Sequence, residues 1–264
     1  ALSARVMSSA TNAIGPLKGQ VMAFTILRRA VIASAIALFI SPVAGRAEES
    51  GTFDMLLFGV RAATLSYAGK IERGQYAASG ALRTTGLLSL VTDVGYTAQV
   101  QGRYRNNRFE PSLYRETARD DDGSYSAEMR YRAGVPQPKG YSPNSATPQS
   151  GLNPAGQAGT VDIMTVIFAV LRDQTRDAVC DVSVQMFDGV RRGQITLTQP
   201  IVKSNGQIDC SGEYRRLEGF SAQQMAERQR FPFTLTYTPQ NADQFRVTRV
   251  ITETTFGRVT IRRR

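Results

Sequence analysis

The chain has no histidine and no tryptophan, contains two cysteines, and uses lysine for only four of its 32 basic residues. Without histidine, neither Ser-His-Asp nor Cys-His machinery can be assembled, and the commonest metal ligand is missing. No glycine-rich phosphate loop, zinc-ligand spacing or nucleophile elbow is present. Long apolar runs are also scarce. The unbroken one, Ala30–Ile40, is far shorter than the ~20 residues a spanning helix needs. The single acidic run, Asp120-Asp121-Asp122, lacks the spaced ligands and closing glutamate of a calcium loop and reads as a solvated turn. No metal, cofactor or catalytic residue is expected, and the chain is read as a non-enzyme.

What is present is globular in composition, with 42% hydrophobic residues and enough length for a real core. The net charge of +10 is unevenly placed, because residues 1–47 hold five basic residues and no acidic ones. From Glu48 onward 27 basic residues face 22 acidic ones, a surplus of five. That modest, dispersed excess argues against a nucleic-acid partner.

Met22 opens a pattern of its own. Arg28-Arg29 supplies a positive start, Ala30–Ile40 an apolar stretch, Ser41-Pro42 a break, and Gly45-Arg46-Ala47 small residues at the cleavage positions. This predicts a secretory signal peptide over 22–47, a mis-called upstream extension over 1–21, and a single β-rich domain over 48–264. An uncleaved membrane anchor is the alternative, which the short apolar stretch disfavours. The expected location is periplasmic, peripheral to the membrane rather than spanning it. In an oxidising compartment Cys180 and Cys210 read as a disulfide, which in the chain-entropy picture contributes about 3.5–4 kcal/mol. A free nucleophilic thiol would have no histidine to activate it.

From Phe53 the pattern is period two. Leu65, Tyr67 and Ile71 alternate with polar neighbours, as do Ala98, Val100 and Tyr104, and then Tyr125, Ala127, Met129 and Tyr131. Such alternation means antiparallel strands with one face on a core and one in water. Asn106-Asn107, Gly74, Asp122-Gly123, Asp188-Gly189 and Asn205-Gly206 mark turns, and Leu87–Val91 reads as a short helical turn. Residues 133–159 are rich in proline and glycine and read as a flexible loop, either a surface insertion or a lid. Thr160 then offers a cap and Asp162 a first-turn acid for a helix running to Leu171 that is apolar on nearly every side. A helix of that kind has to be surrounded. Ser221 and Gln224 spell a capping box for a second, short helix before Phe231, Phe233, Leu235 and Tyr237 resume the alternation.

The expected fold is therefore all-β and mainly antiparallel, a curved, partly closed sheet of about ten to twelve strands wrapped on one apolar helix, plus one short helix. If the inner face is not filled, Ile163, Ile167, Phe168, Leu171, Phe233 and Leu235 are the candidate residues facing an apolar or lipid-like ligand. If the arms of the disulfide loop pair, Arg191, Arg192, Arg215 and Arg216 come near one another as a candidate anion site. Surface arginines paired to nearby acids are the plainer reading.

Several short stretches carry a family resemblance: Phe53-Asp54 with Gly59, Thr160-Val161-Asp162, Phe187-Asp188-Gly189-Val190-Arg191-Arg192, Cys210 through Arg216, and Phe231-Pro232-Phe233. In combination they resemble the proteobacterial domain-of-unknown-function family 3108, over roughly residues 52–263. The resemblance implies an exported envelope protein and carries no activity that could be transferred. The expected architecture is also similar to that of periplasmic lipoprotein carriers of the LolA and LolB kind, by analogy alone. Three functions follow as expectations. The first is a periplasmic protein holding an apolar ligand, the second an envelope interaction module with a solid core and a protein partner, and the third a carboxylate-based hydrolase.

Overall fold

The computed structural model describes residues 48–86, 89, 94–120, 123–139, 151–254 and 257–264. The signal-like stretch, most of Leu87–Val91, Asp121-Asp122 and residues 140–150 lie outside them. All the described residues fall within one unit, Ala44–Arg264.

The alternating segments form the expected strands, each turning back on the one before. The first meander is β1 (Glu49–Leu57), β2 (Val60–Glu72), β3 (Gln75–Thr84), β4 (Gly95–Arg105), β5 (Arg108–Asp120), β6 (Gly123–Arg132) and β7 (Val135–Lys139). After helix α1 (Ile163–Leu171) and the two-residue β8 (Gln174–Thr175) comes the second meander. It consists of β9 (Val182–Phe187), β10 (Arg192–Val202), β11 (Ile208–Glu218), β12 (Arg230–Pro239), β13 (Gln244–Thr254) and β14 (Gly257–Arg263), with helix α2 (Ala222–Glu227) before β12. Pairing of β1 with β14 joins the meanders into one antiparallel sheet that runs from β7 at one edge to β9 at the other, while β8 pairs with β13.

The sheet curls into a nearly closed barrel. Its fourteen strands exceed the expected ten to twelve. Part of the excess is β7, which lies inside the segment read as a loop and pairs Pro136 with Tyr131 and Pro138 with Met129. Proline cannot donate to a ladder, so it is tolerated where a strand has one neighbour, as at this edge. Beyond it, Pro154–Gly156 forms a 3-10 turn capped by Asn153. The 133–159 segment is thus structured at both ends.

Helix α1 fills the barrel. Met164, Thr165, Val166, Phe168, Ala169, Val170 and Leu171 are buried, and Ile163 and Ile167 are half-buried against the same core. The sheet meets the helix with bare backbone at two points. A Cβ at Gly69 would lie 2.6 Å from the Phe168 ring, and one at Gly80 would lie 2.9 Å from the Met164 sulfur. Around them Phe53, Phe187, Leu235, Tyr237 and Val247 have no exposed surface. Tyr67 and Tyr237 donate their hydroxyls to the carbonyls of Leu171 and Val170, satisfying the orphan acceptors of the last turn.

The cap of α1 is Asp162 rather than Thr160. Asp162 accepts from the Thr165 amide and hydroxyl at 2.8 Å each, whereas the Thr160 hydroxyl donates to Gln157 O at 2.7 Å. The second helix has the expected capping box, with Ser221 and Gln224 each accepting from the other's backbone amide. It is shorter than its sequence pattern, because Arg228 is already extended at φ −166°.

Candidate functional site

Three places in this fold could carry a function: the concave face around α1, the pair of arginine dipeptides near the β9–β10 turn, and the seam where the sheet stops short of closing.

The concave face is occupied by side chains. Phe168 and Leu235 have no exposed surface and Leu171 keeps 5%. Ile163, Ile167 and Phe233 are half-buried and packed on the same cluster. The Phe168 ring lies 6.5 Å from that of Tyr67 and 6.0 Å from that of Phe109, centroid to centroid. These residues pack against one another in a single cluster. One polar cluster sits on this inner face. The hydroxyls of Tyr96 and Tyr114 meet, and both donate to Glu116 Oε2, from Tyr96 at 2.6 Å. Burial, together with the nearby Glu116 charge, pushes both phenols up and keeps them protonated. Asp162, fully buried, is pushed up to about 6 by burial, against the opposing pull of its hydrogen bonds from Thr165. The inner register of β5, Tyr114-Glu116-Ala118, was the sequence signal for an inward acid.

Of the four arginines, Arg191 and Arg216 meet over the Phe220 ring and the other two lie apart. Arg215 and Arg216 are neighbours on one strand, and successive side chains on a strand point to opposite faces. Arg192 is taken by Glu218 at 2.6 Å. Arg216 lies over the rings of Phe220 and Phe231 and donates to the carbonyls of Gln224 and Arg228, so it fastens α2 to the sheet. Arg191 is exposed and stacks on Phe220, and Arg215 is exposed on the other side. The structure does not gather all four at one point.

The seam is where backbone and polar side chains stay open together. Residues 151–161 bridge the two sheet edges. Leu152 N donates to Val190 O in the β9–β10 turn, Gly159 N to Gly134 O in the β6–β7 turn, and Val161 N to Gln185 O. Beside this bridge lies a cleft of about 720 Å³, walled by Asn106–Phe109, the last turn of α1 and residues 181–185. Asn106 and Asn107 have φ of 50° and 60°, the geometry of a type I′ hairpin turn. Arg172 reaches in from the helix end, donating to the Tyr104 hydroxyl at 3.1 Å and lying over the rings of Tyr104 and Phe109. Its Nε–H has no hydrogen-bond partner among the described residues. These cleft residues come from five separate stretches, and no local pattern joins them.

The cleft also exposes a strand edge. Val161 accepts from Phe187 N and donates to Gln185 O, so residues 185 and 187 aim their backbone groups away from β10. By the alternation of an antiparallel ladder, Ser183 does the same. None of the described strands pairs with β9 on that side beyond the Val161 bridge.

The stretches that carried the family resemblance are the fasteners of this architecture. Asp54 is held by Arg264 at 2.6 Å and Arg61 at 3.0 Å, and the Arg264 hydrogen bond keeps its carboxyl below the usual range. Asp188 Oδ1 accepts from the amides of Val190 and Arg191. Cys180 and Cys210 are bonded, with Cα atoms 5.4 Å apart. The family model of a protein of unknown function, DUF3108, matches residues 52–217. The chain belongs to DUF3108.

For this DUF3108 member the match ends before Phe231-Pro232-Phe233, so it is shorter than the resemblance suggested. Among solved structures the chain is similar to a beta-barrel-like protein of domain of unknown function DUF1849 from Brucella abortus. Identity is 8%, the TM-score 0.46, and the likeness covers 82% of this chain and 95% of that one. No curated protein matches. Neither the family nor the barrel-like fold points to catalysis, and both are compatible with a ligand-binding or a structural role. Among the described residues no helix is long and apolar enough to cross a membrane.

Proposed function

We propose that this DUF3108 member is an exported, non-enzymatic protein of the periplasm that works as an interaction module with a solid core. The observation that carries the reading is the filled concave face, in which α1 and the inner strand residues pack on one another down to Phe168 and Leu235. An apolar chain held along those side chains would have to displace them. The bonded cysteines support an oxidising compartment, and the signal-like pattern of residues 22–47 supports export.

The partner, in this reading, is a protein that offers an extended segment to the seam. Ser183 presents strand-edge backbone groups there, and Asn106, Arg172 and Gln194 surround it with side-chain donors. Pairing of this kind draws affinity from main-chain hydrogen bonds and specificity from flanking side chains. A carboxylate hydrolase is less well served. It needs two acids at one accessible point, whereas Asp162 is sealed and Glu116 is held by two tyrosine hydroxyls.

The test is site-specific photo-crosslinking from Gln185 in the producing cell. One dominant protein adduct is expected, lost in Ser183→Pro, which removes the edge N–H, and kept in Ser183→Ala. Crosslinks that are absent, or indifferent to the proline, would refute the seam as the contact site.

A further inference from the structure

The charge of the described residues is far from dispersed. On the outer face of β2–β7, toward the β2–β3, β4–β5 and β6–β7 turns, lie nine basic residues: Lys70, Arg73, Arg103, Arg105, Arg108, Arg115, Arg130, Arg132 and Lys139. Among the described residues Glu48, Glu72, Glu110 and Glu128 share that face. The surplus of five there equals the surplus carried by residues 48–264 as a whole.

Much of this charge is unspent within the fold. Glu128 serves both Arg115 and Arg130, and Glu72 serves both Lys70 and Arg73. Arg103, Arg105, Arg108 and Arg132 are exposed and have no carboxylate within 4.0 Å among the described residues. Arg105 and Arg108 are paired directly across the hairpin. Like charges in that position destabilise a ladder. An anionic partner would convert that repulsion into attraction.

The shape of the patch narrows the partner. Six neighbouring strands at about 4.8 Å spacing make a surface roughly 24 Å wide. Between the arginines it presents small or amide side chains such as Ala77, Ser79, Gln99 and Gln101. Among the described residues no aromatic side chain points outward there on which a base could stack, as single-stranded nucleic-acid surfaces use. The large exposed apolar residues Phe58 and Val60 sit at the β1–β2 tip, at the opposite end of the strands. A broad, basic, non-inserting face fits a sheet of phosphate headgroups. We infer that the outer face of β2–β7 docks the protein on an anionic lipid bilayer at headgroup depth. This does not depend on the seam reading.

Basic groups held at such a surface each contribute enough for several-fold tighter partitioning, and salt screens them. The experiment is co-sedimentation of the purified protein with phosphatidylcholine vesicles, with or without phosphatidylglycerol, at low and high sodium chloride. Binding only to the phosphatidylglycerol vesicles, released by salt, is expected. The variant Arg103→Gln/Arg105→Gln/Arg108→Gln should partition about 100-fold more weakly while melting no lower than the parent. A control with the same charge loss on the other meander, Arg191→Gln/Arg215→Gln/Arg258→Gln, should bind like the parent. Equal loss in both variants, equal binding to neutral vesicles, or binding to polyglutamate but not to vesicles would each overturn the inference.

Discussion

Replacing Phe168 by alanine separates a filled barrel from an empty one. The ring has no exposed surface, lies against Gly69, and is surrounded by Tyr67 and Phe109. Its neighbours belong to separate strands, β2 and β5, each fixed in the sheet ladder, so they cannot all close on the vacated space. For a site that collapses poorly, losing a buried phenylalanine ring costs about 3–5 kcal/mol. In a protein of this size that lowers the melting temperature by roughly 6–20 °C. Urea denaturation gives the energy directly, provided the slope is unchanged between parent and variant. A lumen built to hold an apolar ligand would give a different result. There the ring would border open space and its loss would cost under about 1 kcal/mol. A measured loss that small would refute the claim that the barrel is packed.

Further outcomes follow from other contacts. Exchanging Cys180 and Cys210 together for serine should cost about 3.7 kcal/mol from loop closure, and an added reductant should lower the parent's melting point and leave the variant's unchanged. Asp162 has a folded pKa of about 6, above the ~3.9 of an unfolded aspartate, so the native state holds its proton more firmly. Its contribution therefore favours folding most at acid pH and declines as the pH rises through about 4 to 6. In Asp162→Asn that decline, about 2 kcal/mol between pH 4 and pH 7, should disappear from urea midpoints compared at those two values. An unchanged pH slope would refute the burial argument. Ser221→Ala removes the α2 cap and should cost about 1 kcal/mol, read as a small loss in melting temperature with the barrel intact.

The parts of this fold that were legible in the sequence are those with local causes. Tyr67, Val100 and Met129 sit on period-two runs, α1 is apolar around its circumference, and the two cysteines had only each other. The parts that were not legible depend on who sits next to whom. Pro136 and Pro138 spoke against a strand, and only the lack of a second neighbour lets β7 form. Thr160 read as the cap and Asp162 as a first-turn acid, and the clasp of residues 151–161 shifts the start by engaging Thr160 with Gln157, leaving the cap to Asp162. Arg215 and Arg216 looked like a pair until strand alternation put them on opposite faces. The seam cleft draws on Asn106, Arg172 and Ser183, far apart in the chain, and the basic face emerges only when six strands lie side by side.

The most direct test of the solid core is native mass spectrometry of the protein exported to a bacterial periplasm and purified without detergent. The account predicts a single mass equal to the polypeptide with its disulfide, unchanged by added phospholipid after salt has removed surface-bound material. A stoichiometric lipid mass that survives high salt would contradict it, by showing that the concave face opens to hold a chain.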